Sequence, residues 1–281
     1  MQLHVAALVL LAAVMHAGWN ALVKSGQDRV LTMALITGMG AAPAALALLV
    51  LPPPARASWI FLALSGVIHV GYFFFLLQGY RVGDLSHVYP VARGAAPLLV
   101  AVGAALFAGE PIAPMALAAL LVISAAIASF AFERPTAGPR DLRPFLFGLT
   151  TATIIGAYTV VDGLGVRRSG HALSYILWVL VLDAVPLALY AGATRRRELP
   201  GYLRAWWGRG LVGGILCGGA YGLIIWALGQ GAMAYVSALR ETSVIFAAII
   251  GATLLREPFG TRRVVAAGLV AAGIVAMHLG A

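Results

Sequence analysis

The sequence predicts an all-α integral membrane protein of ten transmembrane helices, arranged as two inverted five-helix repeats. Three observations carry this reading. The 281-residue chain is 62% hydrophobic and only 10% charged, with a mean hydropathy of +0.95, whereas soluble proteins carry about 25% charged residues. Ten apolar runs each approach the roughly 20 residues that a helix needs to cross about 30 Å of hydrocarbon. Sliding the chain on itself by 147 residues brings Arg93, Glu110 and Pro111 onto Arg240, Glu257 and Pro258.

The runs are 3–24, 30–51, 59–80, 85–108, 112–132, 144–164, 172–193, 210–229, 232–255 and 260–280. The first begins Met1-Gln2-Leu3-His4, without the basic segment of a signal peptide, and holds His16, Trp19 and Asn20. It is therefore read as the first helix. Lys24 to Arg29 separates runs one and two, and Pro52-Pro53-Pro54 closes run two. Glu133 to Arg143 divides a first unit, 1–132, from a second, 144–281. Thr194 to Arg209 is expected to be the longest loop, with Trp206 and Trp207 anchoring it at the interface. The runs are continuous rather than alternating, which disfavours membrane β-strands. Helix eight carries Gly210, Gly214, Gly218 and Gly222, a stripe that lets helices pack closely.

The net charge of +9 and pI near 10.3 do not indicate nucleic-acid binding, because the arginines cluster between apolar runs. Loops 1–2, 3–4, 5–6, 7–8 and 9–10 hold 14 basic residues, from Lys24 to Arg263, and the opposite side holds only Arg56, Arg167 and Arg168. The positive-inside rule then puts both termini outside the cytoplasm. A single cysteine, Cys217, allows no internal disulfide. The sequence holds no His-Glu-x-x-His, Cys-x-x-Cys or acidic cluster. The six histidines are scattered, so neither a catalytic centre, a cofactor nor a metal is expected.

The repeat points to function. Five helices per unit make the second unit cross the membrane in the opposite sense, with a substrate site near the midplane where the units meet. Ionisable groups inside a bilayer cost about 2.5–3.5 kcal/mol, so they face a cavity or a partner. Arg93, eight residues into its helix, lies about 12 Å deep, and Arg240 sits at the corresponding place in the second unit. Either arginine could grip a substrate carboxylate through paired hydrogen bonds, or be neutralised by Asp183 or Glu241. Glu241 adjoins Arg240, but neighbours along a helix do not face each other. His16, Trp19 and Asn20 share a face of helix one, and His69 and Tyr72 one of helix three. Tyr158 lies four residues before Asp162 in helix six, and Trp178 three residues after Tyr175 in helix seven. These polar-tipped side chains suit a mostly apolar pocket with a few fixed polar groups. The candidate substrate residues are thus His16, Trp19, Asn20, His69, Tyr72, Arg93, Tyr158, Trp178 and Arg240.

His16-Ala17-Gly18-Trp19-Asn20-Ala21-Leu22-Val23-Lys24, Gly109-Glu110-Pro111 and Arg256-Glu257-Pro258 together resemble the drug/metabolite transporter superfamily, EamA type, over the whole chain. The resemblance is nearest to bacterial exporters of amino acids, aromatic ones included. It implies an inner-membrane secondary transporter with a small-molecule substrate and lipid as partners, no nucleic acid, and a monomeric chain. It also implies cytoplasmic termini, opposite to the charge count. The small multidrug relatives carry a proton-coupling glutamate in helix one, which has no carboxylate here. With Asp183 and Glu241 read as arginine partners, a facilitator is expected rather than a proton antiporter. Proton-coupled multidrug or organic-anion export and an integral-membrane enzyme are the alternatives.

Overall fold

The computed structural model describes residues 2–82, 85–129, 142–253 and 261–279, all helix and short connections without a strand among them. The helices are α1 (Leu3–Lys24), α2 (Arg29–Ala47), α3 (Trp59–Val82), α4 (Leu85–Ala108), α5 (Pro114–Ala128), α6 (Arg143–Arg168), α7 (Ala172–Thr194), α8 (Leu199–Gln230), α9 (Met233–Arg240), α10 (Ser243–Thr253) and α11 (Thr261–Leu279). Seven of them, α1 to α4 and α6 to α8, are long and apolar enough to cross a membrane. The large apolar side chains point outward: Leu106, Phe107, Val67 and Leu189 are each about 70% exposed. Such a surface is unfavourable in water and matches lipid. Alanine is the commonest residue of the buried core, ahead of valine, leucine and isoleucine, which lets the helices approach closely.

Packing follows an exchange pattern. The α1 helix lies on α8 as α6 lies on α3, and α4 lies on α6 as α9 and α10 lie on α1. The pairs α2 with α7, α4 with α9 and α5 with α11 each meet directly. The glycine stripe of α8 serves this packing. A Cβ on Gly214 would stand 2.7 Å from the Gly40 backbone nitrogen of α2, while Gly222 abuts Ile176 of α7 at 3.1 Å.

The elements depart from the sequence reading in four places. Run two ends as helix at Ala47, and within the described part of run five the helix spans Pro114–Ala128. The expected long loop after Thr194 is mostly helix, because α8 starts at Leu199. Pro200 sits in its first turn, where a missing N–H leaves no bond unmade. Trp206 and Trp207, expected at the interface, therefore lie on a helix of 32 residues, longer than the roughly 20 a span requires. Arg209 stacks its guanidinium 4.9 Å from the Trp206 ring. Run nine is broken into α9 and α10 at Glu241-Thr242. Glu241 and Thr242 make tightened i→i+3 bonds to Ala238 and Leu239, and the Thr242 hydroxyl also bonds the Leu239 carbonyl. Polar side chains that compete for backbone groups loosen a helix in this way. Glu257, Pro258 and nearly all of the 133–143 linker lie outside the described residues.

Candidate functional site

The arginine expected near the midplane meets the broken helix. Arg93 stands on α4 between Pro90 and Pro97, and Pro97 cannot donate to the Arg93 carbonyl one turn before it. The Arg93 guanidinium reaches across to the α9–α10 break, with Nε 2.9 Å from Glu241 Oε2 and Nη2 donating to Ser243 Oγ at 3.2 Å. Glu241 Oε1 lies 3.5 Å from Arg240 Nε. The expectation that Arg240 and Glu241 do not face each other fails because the helix ends between them. Glu241 is fully buried, and Arg93 and Arg240 are each at most 5% exposed. One carboxylate thus sits between two guanidinium groups.

A cavity of about 220 Å³ lies beside this triad. Seven of the nine candidate residues line it: His16, Trp19, Asn20, His69, Tyr72, Arg93 and Tyr158. His16 and Trp19 meet edge to face at 5.1 Å, and Asn20 is held by a 2.7 Å bond from its amide to the His16 carbonyl. The other two candidates do not line the cavity. Trp178 packs against Trp59, ring to ring at 5.6 Å, beside a cluster of α3, α6, α7 and α8. Arg240 lies behind Glu241, a consequence of α9 ending there. Leu180, Asp183, Cys217 and Tyr221 also line the cavity and were not among the candidates.

A second polar group forms the opposite wall. His69 on α3 stacks on Tyr158 at 4.3 Å. Its Nδ1 lies 2.9 Å from the Ser65 carbonyl and 3.4 Å from Asp183 Oδ1 on α7. Its Nε2 meets the Tyr221 hydroxyl at 3.3 Å. Tyr221 also bonds Asp162 Oδ2 through a short contact, and Tyr175 donates to Asp162 Oδ1 at 3.2 Å. Asp162 is wholly buried. Asp183 therefore partners a histidine, not an arginine. Asp162 was legible in the sequence as a carboxylate inside an apolar run, and its neighbour Tyr158 was taken in its place.

The cavity reaches one end of the bundle, where Val23, Arg29, Val30 and Tyr190 line it. Asp28 there caps α2, accepting from Val30 N at 2.8 Å and Leu31 N at 3.0 Å. It also lies 3.2 Å from Arg195 Nε. Partial burial raises its pKa, but these bonds outweigh that and hold the carboxyl below its ordinary value. The opposite end is tied shut. Arg167, at the end of α6, meets Glu110 Oε1 at 2.6 Å and donates to the Leu228 and Gly231 carbonyls. Glu110 Oε2 accepts the first backbone N–H of α9, from Met233, at 2.8 Å. Gly109, at φ +67°, makes the turn after α4 that precedes Glu110.

The EamA-like transporter family matches residues 142–279. No curated protein matches the chain. A solved structure described only as "Crystal structure of protein" superposes with a TM-score of 0.75 at 18% identity, over 98% of this chain and 95% of that one. That likeness extends the shared fold across both halves of the chain.

Proposed function

We propose that this multi-pass membrane protein, whose residues 142–279 belong to the EamA-like transporter family, exports amino acids across a bacterial inner membrane by alternating access. Transport is the coarse function the family carries, and the substrate follows from one observation. A single small cavity is lined by Arg93 at one wall and by Asp183 at the other, with aromatic rings between. Arg93 shares its carboxylate, Glu241, with Arg240, and a guanidinium so placed suits a substrate carboxylate. Asp183 lines the cavity beside His69, and its carboxylate suits a substrate ammonium. Opposite charges in one cavity select a zwitterion. Trp19, Tyr72 and Tyr158 favour apolar and aromatic side chains. At about 220 Å³ the space is below the 300–1,000 Å³ typical of drug-sized ligands, which speaks against a multidrug role.

Ten spans in two inverted units fit the exchange of helix contacts between the halves, with α9 and α10 forming one interrupted span. Discontinuous helices at the substrate site are common in such transporters. The basic side is then cytoplasmic, and the cavity faces it.

Counterflow in proteoliposomes tests the substrate. Labelled phenylalanine and leucine should exchange, and Arg93→Gln should weaken them by about 10- to 100-fold, the loss of one charge-assisted bond. Phenethylamine, which lacks the carboxylate, should be affected far less. Equal losses for both would make Arg93 structural only.

A further inference from the structure

We propose that the buried group Asp162–Tyr221–His69–Asp183 is a proton-binding site, and that a proton and the substrate ammonium occupy it alternately, making transport a proton exchange. The inference rests on the amino-acid transport reading and adds the coupling to it.

The hydrogen bonds restrict where protons sit. His69 Nδ1 faces the Ser65 carbonyl at 2.9 Å. A carbonyl only accepts, so this contact is a hydrogen bond when Nδ1 carries the hydrogen, with the Ser65 hydroxyl 3.2 Å away as a further partner. Tyr221 has one hydroxyl proton and two partners, Asp162 Oδ2 and His69 Nε2. If that proton goes to Asp162, then Nε2–H must donate to the phenol oxygen, and His69 is an imidazolium beside an ionised Asp162. If it goes to Nε2, then a protonated Asp162 donates to the phenol, and His69 is neutral. The two arrangements differ by a paired shift. The carboxyl proton moves to the phenol oxygen as the phenol proton moves to Nε2. One O–H bond breaks at Asp162, one forms and one breaks at Tyr221, and one N–H bond forms at His69. No net charge moves out of the group. The chain Asp162–Tyr221–His69 is therefore a proton wire from Asp162 Oδ2 to His69 Nε2, and Asp183 Oδ1 stands 3.4 Å from the imidazole's Nδ1.

Charge balance gives the exchange. Two ionised aspartates and a neutral imidazole sum to −2, and one added proton, on either arrangement above, leaves −1. Burial penalises an uncompensated charge, so one further positive group is favoured. The neighbours able to supply or remove charge are few. Ser65 on α3, Tyr158 on α6, Tyr175 on α7, and Cys217 and Tyr221 on α8 are all neutral when protonated. His16 and Arg93 line the cavity's other wall. The missing positive charge comes from a second proton or from an ammonium at Asp183, whose side chain lines the cavity. A proton on Asp183 removes the anion that an ammonium would pair with, so occupancy by one expels the other, and this is the requirement for antiport.

The test uses the full chain in proteoliposomes with the potential clamped at zero. With an acidic lumen, labelled phenylalanine should accumulate about tenfold above equilibrium per pH unit, the limit for one-for-one exchange. In Asp162→Asn the ratio of accumulation to symmetric-pH counterflow should fall at least tenfold. A wild type that only equilibrates overturns the proposal and leaves a facilitator. A variant in which both quantities fall together also overturns it, marking Asp162 as structural. If no amino acid in the panel exchanges, the substrate reading fails, and infrared difference spectra on acidification decide the proton site. A buried carboxylic C=O band that Asp162→Asn alters supports it, and no such band overturns it.

Discussion

Glu241→Gln is the most demanding test of the buried triad. Glu241 is fully buried and stands 2.9 Å from one guanidinium and 3.5 Å from another. At an effective dielectric near 20, a pair of unit charges about 4 Å apart interacts by about 4 kcal/mol. Removing one partner of a buried pair typically costs about 3–5 kcal/mol. Glutamine keeps the shape and one acceptor oxygen but leaves two buried cations with no anion between them. We expect Glu241→Gln to lose stability by about 3–5 kcal/mol, in the range of that rule. Arg240→Gln should cost less, because its guanidinium stands farther from Glu241 and the closer Arg93 pair survives. The double variant Arg240→Gln/Glu241→Gln should recover part of the loss, since only one cation is then stranded. Thermal melting of the three purified proteins in one detergent measures the order. A Glu241→Gln protein as stable as wild type, or a double variant less stable than it, would refute the reasoning.

Gly214→Ala should destabilise by about 1–3 kcal/mol, an overpacking cost, because its Cβ meets α2 backbone atoms that cannot yield. Gly38→Ala meets nothing within 4 Å and should melt like wild type. Asp28→Ala should cost about 1 kcal/mol at pH 7, the value of an N-cap. Its folded-state pKa is depressed, so this stabilisation is present above the ordinary carboxylate value and fades as pH falls through the lower folded one. The deficit in melting temperature should shrink as pH falls below the ordinary carboxylate value, and a deficit that stays constant would contradict the cap. A cysteine at the exposed Arg196, in a Cys217→Ala background, should be shielded from an impermeant thiol reagent in intact cells. Labelling there would reverse the assigned orientation.

How much the sequence disclosed depended on which physical signal a feature leaves. The bounds of α4 match its apolar run at both ends, 85 and 108, because hydropathy records a span bordered by polar residues. The break after Arg240 was hidden from the same measure, since α9 and α10 are both apolar. Its trace was the consecutive polar run Arg240-Glu241-Thr242-Ser243 inside that span. Helix periodicity grouped His16 with Trp19 and Asn20, and His69 with Tyr72, because both sets lie on single continuous helices. Periodicity cannot say which faces of different helices converge. Trp178 shares α7 with Asp183, yet it turns to Trp59 while Asp183 turns to the cavity. The His69–Asp183 contact joins residues 114 apart in sequence, and only the packing of α3 on α7 creates it.

The two ends of the bundle are bridged by bonds of one kind, and this bears on how the halves move. At the sealed end, Glu110 of the first half holds Arg167 and the Met233 amide of the second. At the end the cavity reaches, Asp28 holds Arg195, Thr32 holds Tyr202, and Ser25 accepts from Arg209. Each of these also joins first half to second. Rocking one half on the other must break one set while leaving the midplane triad and its cavity intact. Partly exposed pairs of this type contribute about 1 kcal/mol or less each. Breaking either set then costs only a few kcal/mol, a gap small enough to keep a minor conformation populated. A substrate that neutralises both cavity walls needs to add only a modest difference in affinity to shift that balance. The stiff elements are the glycine-packed α2–α8 contact and the buried Arg93–Glu241 pair. The weak ones are at the two mouths, where a transporter has to open.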